Sequence, residues 1–200
     1  MPTVSRLRPS GWLRELEGPT ACIWAPSPNH NERPPCASIR LAVVHSISLP
    51  PGVFGGTGID DLFLNRLGPS APPELQSLLG LRVSSHFLIT RTARLIQYVP
   101  VTRRAWHAGQ SYFEGEDDCN NFSIGIELEG TDDQPYERQQ IERLAWLLVE
   151  LSQHIPSLST ITGHSVIAPG RKTDPGPCFD WALLAGELAS LGSTLRCRPE

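Results

Sequence analysis

The 200-residue chain is 40% hydrophobic and 19% charged, the balance of a folded domain with a core rather than of a disordered segment. Its formal charge of -4 and pI near 5.9 exclude a binder that works by neutralising nucleic-acid phosphates. The length fits one domain, residues 1–200, and no stretch approaches the roughly 18 apolar residues of a membrane span.

Residues 1–38 are rich in Pro, Ser, Asn and Arg and read as an irregular N-terminal arm, with Trp12 and Trp24 anchoring it to the domain. Met1 to Leu16 holds arginines but no apolar run long enough for a secretory signal, so none is expected there. The first strand is expected at 40–45. Its run Leu41-Ala42-Val43-Val44 is apolar and ends at His45, and Pro50-Pro51-Gly52 follows. A Pro/Gly-rich loop continues through Gly58. Asp60 or Asp61 then caps a short helix to about Leu67, and Pro72-Pro73-Glu74 opens another to about Leu79.

Residues 84–90 and 94–99 read as a strand pair turned at Arg91-Thr92-Ala93. Ser123 to Glu129 alternates cleanly. Ser123, Gly125, Glu127 and Glu129 share one face, and Ile124, Ile126 and Leu128 share the other. The longest helix is expected from Pro135 to Gln153, capped by Asp132 or Asp133, with Ile141, Leu144, Ala145 and Leu148 facing the core. A last helix opens near Asp180, with Trp181, Leu184, Ala185 and Leu188 on one face. Strands and helices alternate, which predicts an α/β (mixed α+β) fold with a central mixed sheet flanked by helices on both faces.

The five cysteines are odd in number and show no short CxxC spacing. They read as free thiols of a reducing compartment.

The chemistry concentrates in the Gly/Pro-punctuated loop Gly163–Pro177, which carries His164, Lys172 and Asp174. A catalytic zinc site takes three protein ligands and leaves one position open. His164 and Asp174 are two candidates, and His45, at the end of its strand, is the third. Zinc lowers the pKa of a bound water towards ~7 and polarises a carbonyl. Such a site needs a proton acceptor. Glu127 and Glu129 lie on the same strand face, so periodicity does not choose between them. Lys172, two residues before Asp174, is placed to stabilise an oxyanion.

Each of these residues also has an ordinary reading: His164 as a loop cap, Asp174 as a turn residue before Pro175, Lys172 as an exposed lysine, either Glu as a solvated strand face. His86 is expected in the core or behind the ligands, and His107, in Ala105-Trp106-His107-Ala108-Gly109, on a cleft wall. His30 and His154 read as surface residues. A cysteine–histidine hydrolase built on Cys178 and His164 lacks an evident group to activate the thiol.

Four stretches then carry a resemblance: Val43 to Gly52, Ala105 to Gly109, Cys119 to Gly130, and Thr162 to Trp181. Together they resemble the N-acetylmuramoyl-L-alanine amidase type-2 family, which shares its fold with peptidoglycan recognition proteins. The likeness is to its AmpD-type 1,6-anhydro-N-acetylmuramyl-L-alanine amidases and spans about residues 24–182. It implies one zinc per chain, held by His45, His164 and Asp174, with Glu127 rather than Glu129 as the catalytic carboxylate and Lys172 as the oxyanion stabiliser. It also implies cleavage between the lactyl group of N-acetylmuramic acid and L-alanine, in cytoplasmic recycling of anhydro-muropeptides. Ser46, Arg82 and His107 are the candidate substrate contacts. Ser46 departs from the pattern, since close relatives often have Asn there. The expected partner is the muropeptide alone, with no nucleic acid and no membrane, and the expected state is a monomer. The alternatives are a non-catalytic peptidoglycan-binding module, in which a ligand is typically lost, and a phage or periplasmic wall amidase.

Overall fold

A computed structural model describes residues 6–14, 18 and 21–199. The remainder of the expected N-terminal arm, and Glu200, lie outside these residues. In chain order the strands are β1 (Cys22–Trp24), β2 (His30–Asn31), β3 (Leu41–Ile47), β4 (Phe87–Ile89), β5 (Leu95–Gln97), β6 (Arg104–Ala105), β7 (Tyr112–Phe113), β8 (Glu116–Asp117), β9 (Ser123–Glu129), β10 (Thr160–Gly163) and β11 (Arg196–Arg198). The helices are α1 (Gly58–Phe63), α2 (Arg138–His154), α3 (His164–Ile167) and α4 (Trp181–Ser190). Seven strands form the central sheet in the order β1-β5-β4-β9-β3-β10-β11. Its pairs are parallel except β4 with β5, so the sheet is mixed, as the alternation of elements predicts.

Side-chain alternation along the strands sorts residues to two layers. Ala42, Val44, Ile124, Ile126 and Leu128 turn to one face and pack with Ile141, Leu144, Leu148, Leu184 and Leu188 of α2 and α4. Leu41 and Val43 turn to the other, against Phe122 and Ile167 of the α3 side. There Leu88 and Ile96 meet Ile59, Leu62 and Phe63 of α1. With both faces covered, β9 is buried along its whole length, the condition that makes strands of parallel sheets largely apolar. His45, Glu127 and Glu129 are the ionisable residues in β3 and β9, and all three sit at the carboxyl ends of those strands.

Several boundaries differ from expectation for local reasons. Part of the expected irregular arm is β1, an edge strand paired with β5. Trp24 belongs to it and donates its indole N–H to Leu13 O at 2.9 Å. The unforeseen β11 closes the opposite edge. Asp60 and Asp61 lie inside the first turn of α1 rather than capping it. That helix stops short of Leu67 because Asn65 turns left-handed, at φ 58°. Residues Pro73–Leu78 form a 3-10 helix. Strands β4 and β5 are shorter than predicted, and before β4 the Ser84 N–H leaves the sheet to donate to Trp106 O. Helix α2 starts at Arg138, not Pro135, since Glu137 and Gln140 form a capping box. Helix α4 opens where expected, and Asp180 caps it, accepting from Leu183 N at 2.8 Å. Ala185, however, is exposed, and Leu183 packs on the core in its place.

Candidate active site

Register assembles the site. Strand β3 lies between β9 and β10, with His45 opposite Glu127 and Val44 opposite Gly163. His164 is the next residue after β10, so it emerges at the same carboxyl edge as His45 and Glu127. Ligands of open parallel sheets bind outside such edges. The loop carrying Asp174 folds back onto this edge. Ser165 N–H donates to Asp174 O at 2.9 Å, and Pro175 packs so close to Gly163 that a Cβ there would meet its Cδ at 2.8 Å.

The three ligand-type side chains converge. Nδ1 of His45 and Nδ1 of His164 are 2.9 Å apart, and Asp174 Oδ2 lies 3.2 Å from the first and 3.0 Å from the second. A tetrahedral ion with bonds of about 2.0–2.1 Å spaces its ligands about 3.3 Å apart. The donor set of two imidazoles and a carboxylate suits zinc. His45 and His164 are buried. Burial, then the neighbouring His164, pushes the His45 imidazole down to about 4, so it is neutral and its ring is free to ligate. Burial acts to raise the Asp174 carboxyl, but the adjoining His164 and His45 outweigh it and hold the group well below the usual carboxylate range. His164 Nε2 donates to Ala108 O at 3.1 Å, which leaves its Nδ1 bare and facing the cluster. Among the described residues these three form the one group of His, Cys, Asp and Glu with metal-binding geometry.

Glu127 is buried beside the cluster, and its Oε2 has no hydrogen-bond partner. Burial, then the charge of Asp174, raises its carboxyl well above the ordinary glutamate value, while Lys172 pulls the other way. Glu129 is equally buried but fully occupied. It accepts from Gly55 N at 2.5 Å and Arg91 N at 3.0 Å, joining two loops at the sheet edge. The two glutamates therefore share a strand face without sharing an environment.

A cleft of about 250 Å³ opens over the cluster and is lined by His45, Glu127, His164, Lys172 and Asp174. Leu62, Phe63, Leu78 and Trp106 supply its apolar wall. Ser46 and His107 also line it. Arg82 is exposed and flanked by Leu81 and Val83, which do line it. His86 is buried behind the site, accepting from Gly125 N at 3.0 Å. His30 and His154 are part-exposed. Cys178 is part-buried and does not line the cleft, and no disulfide joins any of the five cysteines.

Three supporting residues have no recognisable signal in the sequence, because each acts through distant backbone. Arg33 donates to the carbonyls of Val101, Asn120, Asn121 and Ser123 beneath the site. Asn120 Oδ1 accepts from His107 N and Ala108 N. Arg171 donates to Ala108 O and Gln110 O at 2.6 Å each. Gly125 has a packing role. A Cβ on it would lie 2.4 Å from Cγ of His107, and that ring is held by hydrogen bonds. Gly125→Ala is therefore expected to destabilise the protein by about 1–3 kcal/mol through overpacking, read as a lowered midpoint in thermal unfolding.

The N-acetylmuramoyl-L-alanine amidase family matches residues 36–177. The 1,6-anhydro-N-acetylmuramyl-L-alanine amidase AmpD of Citrobacter freundii is 49% identical over 173 residues, covering 86% of this chain and 89% of the relative. The crystal structure of a selenomethionine AmpD derivative matches with a TM-score of 0.84 at 47% identity, covering 90% of this chain and 97% of that one. The E. coli amidase AmiD, in complex with the substrate anhydro-N-acetylmuramic acid-L-Ala-D-gamma-Glu-L-Lys, matches with a TM-score of 0.54 at 28% identity, covering 78% of this chain and 60% of that one. Matched across most of its length in both sequence and fold, the chain belongs to the N-acetylmuramoyl-L-alanine amidase family, in its AmpD-type branch.

Proposed function

We propose that this amidase is a zinc enzyme that hydrolyses the bond between the lactyl group of N-acetylmuramic acid and L-alanine in 1,6-anhydro-muropeptides, as a step of peptidoglycan recycling. The observation that carries the reading is the convergence of His45, His164 and Asp174 beside a buried carboxyl that has an unpartnered oxygen. The names of the AmpD relatives and the muropeptide bound to AmiD support the substrate class.

Bound zinc, one per chain, would supply Lewis acidity to a water and to the scissile carbonyl. The chain's own residues do the rest. Glu127 takes a proton from the attacking water on Oε2 and passes it to the departing amine of L-alanine. Lys172 faces the carbonyl oxygen as its charge grows. Leu62, Phe63, Leu78 and Trp106 exclude water from one side and receive the apolar parts of the muropeptide. Ser46 lines the cleft, and its side chain, which also hydrogen-bonds Tyr136, is a contact for the sugar or the peptide, while Arg82 sits at the rim as a carboxylate partner for the stem peptide.

The cytoplasm is the compartment in this reading, in keeping with five cysteines that form no disulfide. Among the described residues no helix is long and apolar enough to cross a membrane. A non-catalytic binding module is disfavoured because no ligand of the expected set is missing.

Metal analysis of the purified protein should give one zinc per chain, and His164→Ala should lose both the metal and turnover. Mass spectrometry on anhydro and ordinary muropeptides should show release of the stem peptide from the anhydro form. A fully folded, metal-free protein that cleaves muropeptides would overturn the zinc assignment. Intact muropeptides after incubation with the zinc-loaded protein would overturn the substrate.

A further inference from the structure

His45 presents Nδ1 to the metal cluster, and its other ring nitrogen points inward. His45 Nε2 lies 2.9 Å from His107 Nδ1, and His107 Nε2 lies 3.1 Å from Ser123 Oγ. Ser123 Oγ donates in turn to Cys119 O at 2.5 Å. A backbone carbonyl only accepts, so the single hydroxyl proton of Ser123 is committed to Cys119 O. Ser123 Oγ must then accept from His107 Nε2–H. A neutral His107 with its proton on Nε2 has a bare Nδ1, which accepts His45 Nε2–H. His45 is left with a bare Nδ1, the form a metal ligand requires. Tautomer choice thus runs outward from a carbonyl of the chain to the ligand atom.

The alternative is a doubly protonated His107, which would donate to His45 and put the His45 proton on the wrong nitrogen. With His45 Nδ1 turned to the cluster, 2.9 Å from His164 Nδ1 and 3.2 Å from Asp174 Oδ2, the neutral His107 is the form that leaves that nitrogen bare. The ring is also fixed in place. Asn120 holds its backbone N–H, Gly125 leaves room only for the ring that is there, and His86 lies edge-on at 5.8 Å between centroids. The other histidine of the cluster is set by the next residue in the chain, through Ala108 O. Residues 107 and 108 therefore orient both imidazoles.

We infer that His107 is a positioning residue, whose unprotonated Nδ1 accepts the His45 Nε2–H and so aims His45 Nδ1 at the metal. The inference rests on the zinc reading above. It replaces a substrate contact for His107, because both of its ring nitrogens are engaged inside the protein.

Nitrogen-15 spectra of the six histidines in the zinc-loaded wild type test it without any substitution. His107 and His45 should each be neutral with the proton on Nε2. A proton on His107 Nδ1 would overturn the inference. Two variants test its energetic weight by zinc competition with a chelator. His107→Phe keeps a ring but offers no acceptor, and should weaken zinc binding by about 10–100-fold, as loss of an outer hydrogen-bond partner typically does. His107→Asn presents an amide oxygen near the place of Nδ1 and should lose less than His107→Phe. Wild-type affinity in His107→Phe, or equal losses in both variants, would mean that the acceptor has no role. Failure of the wild type itself to bind zinc would instead strike the underlying zinc assignment, so the two failures are separable.

Discussion

Glu127→Gln is expected to lower kcat by about 10²–10⁴, the usual contribution of a general base, while zinc stays bound. The amide keeps the shape of the side chain and cannot take a proton. The metal cluster contains His45, His164 and Asp174 but not Glu127, so metal content should hold. Glu129→Ala is the control. Its carboxylate is tied to Gly55 and Arg91, so its loss should loosen two loops and cost stability, with a milder effect on rate. Steady-state kinetics and metal analysis on both variants decide the matter; equal and severe losses of rate would remove the distinction between them.

The same substitution should stabilise the metal-free fold. The native Glu127 carboxyl is held above its ordinary value by burial first and by Asp174 second. Between the ordinary glutamate range and that raised value, the unfolded chain has released its proton while the native chain retains it, so stability falls as pH rises through this window. Glutamine has no such loss. The unfolding midpoint of Glu127→Gln should therefore exceed that of the wild type at neutral pH, and the gap should close in acid. A gap that widened in acid would contradict the raised native value. Activity of the zinc-loaded enzyme should fall in acid, since a protonated Glu127 cannot act as the base.

Lys172→Ala is expected to reduce kcat by about 10²–10³, with a smaller change in KM, as for loss of an oxyanion donor. Lys172 lines the cleft with Glu127 and the three ligand-type residues, and Lys172 N–H is fixed to Ala168 O at 3.0 Å. Two residues on, Asp174 joins the cluster, so the ammonium is tethered to the immediate surroundings of the metal. Lys172 is itself exposed, so its charge works by nearness to the cluster rather than by burial. Lys172→Arg should rescue only in part, because a planar guanidinium differs from an ammonium in shape and donor directions. If KM rose while kcat held, Lys172 would serve ground-state binding instead.

The sequence was legible where a signal is carried by consecutive residues. Strand β3 was readable from its apolar run and β9 from its alternation, although β9 proves buried on both faces, and the Gly163–Pro177 loop announced its ligand-type residues by residue type. The choice between Glu127 and Glu129 was not readable from periodicity, since both face the same way. It depends on a register in which His45 lies opposite Glu127 and on loops that satisfy Glu129. Strands β1 and β11 are three residues each, too short for any period, and exist only through their partners. The inward bond of His107 joins residues 62 apart in the chain, and no local pattern announces such a contact.

Strand β3 has a consequence for how the chain reaches this state. Both of its neighbours, β9 and β10, lie later in the chain. During synthesis Leu41-Ala42-Val43-Val44 therefore leaves the ribosome with two open hydrogen-bonding edges and no neighbour to occupy either. Non-local parallel pairing is slow to form, and unpaired apolar edges attract other chains. The segment that supplies the centre of the sheet is thus the one most exposed to self-association in a nascent or truncated chain, and fragments ending before Thr160 should aggregate through it.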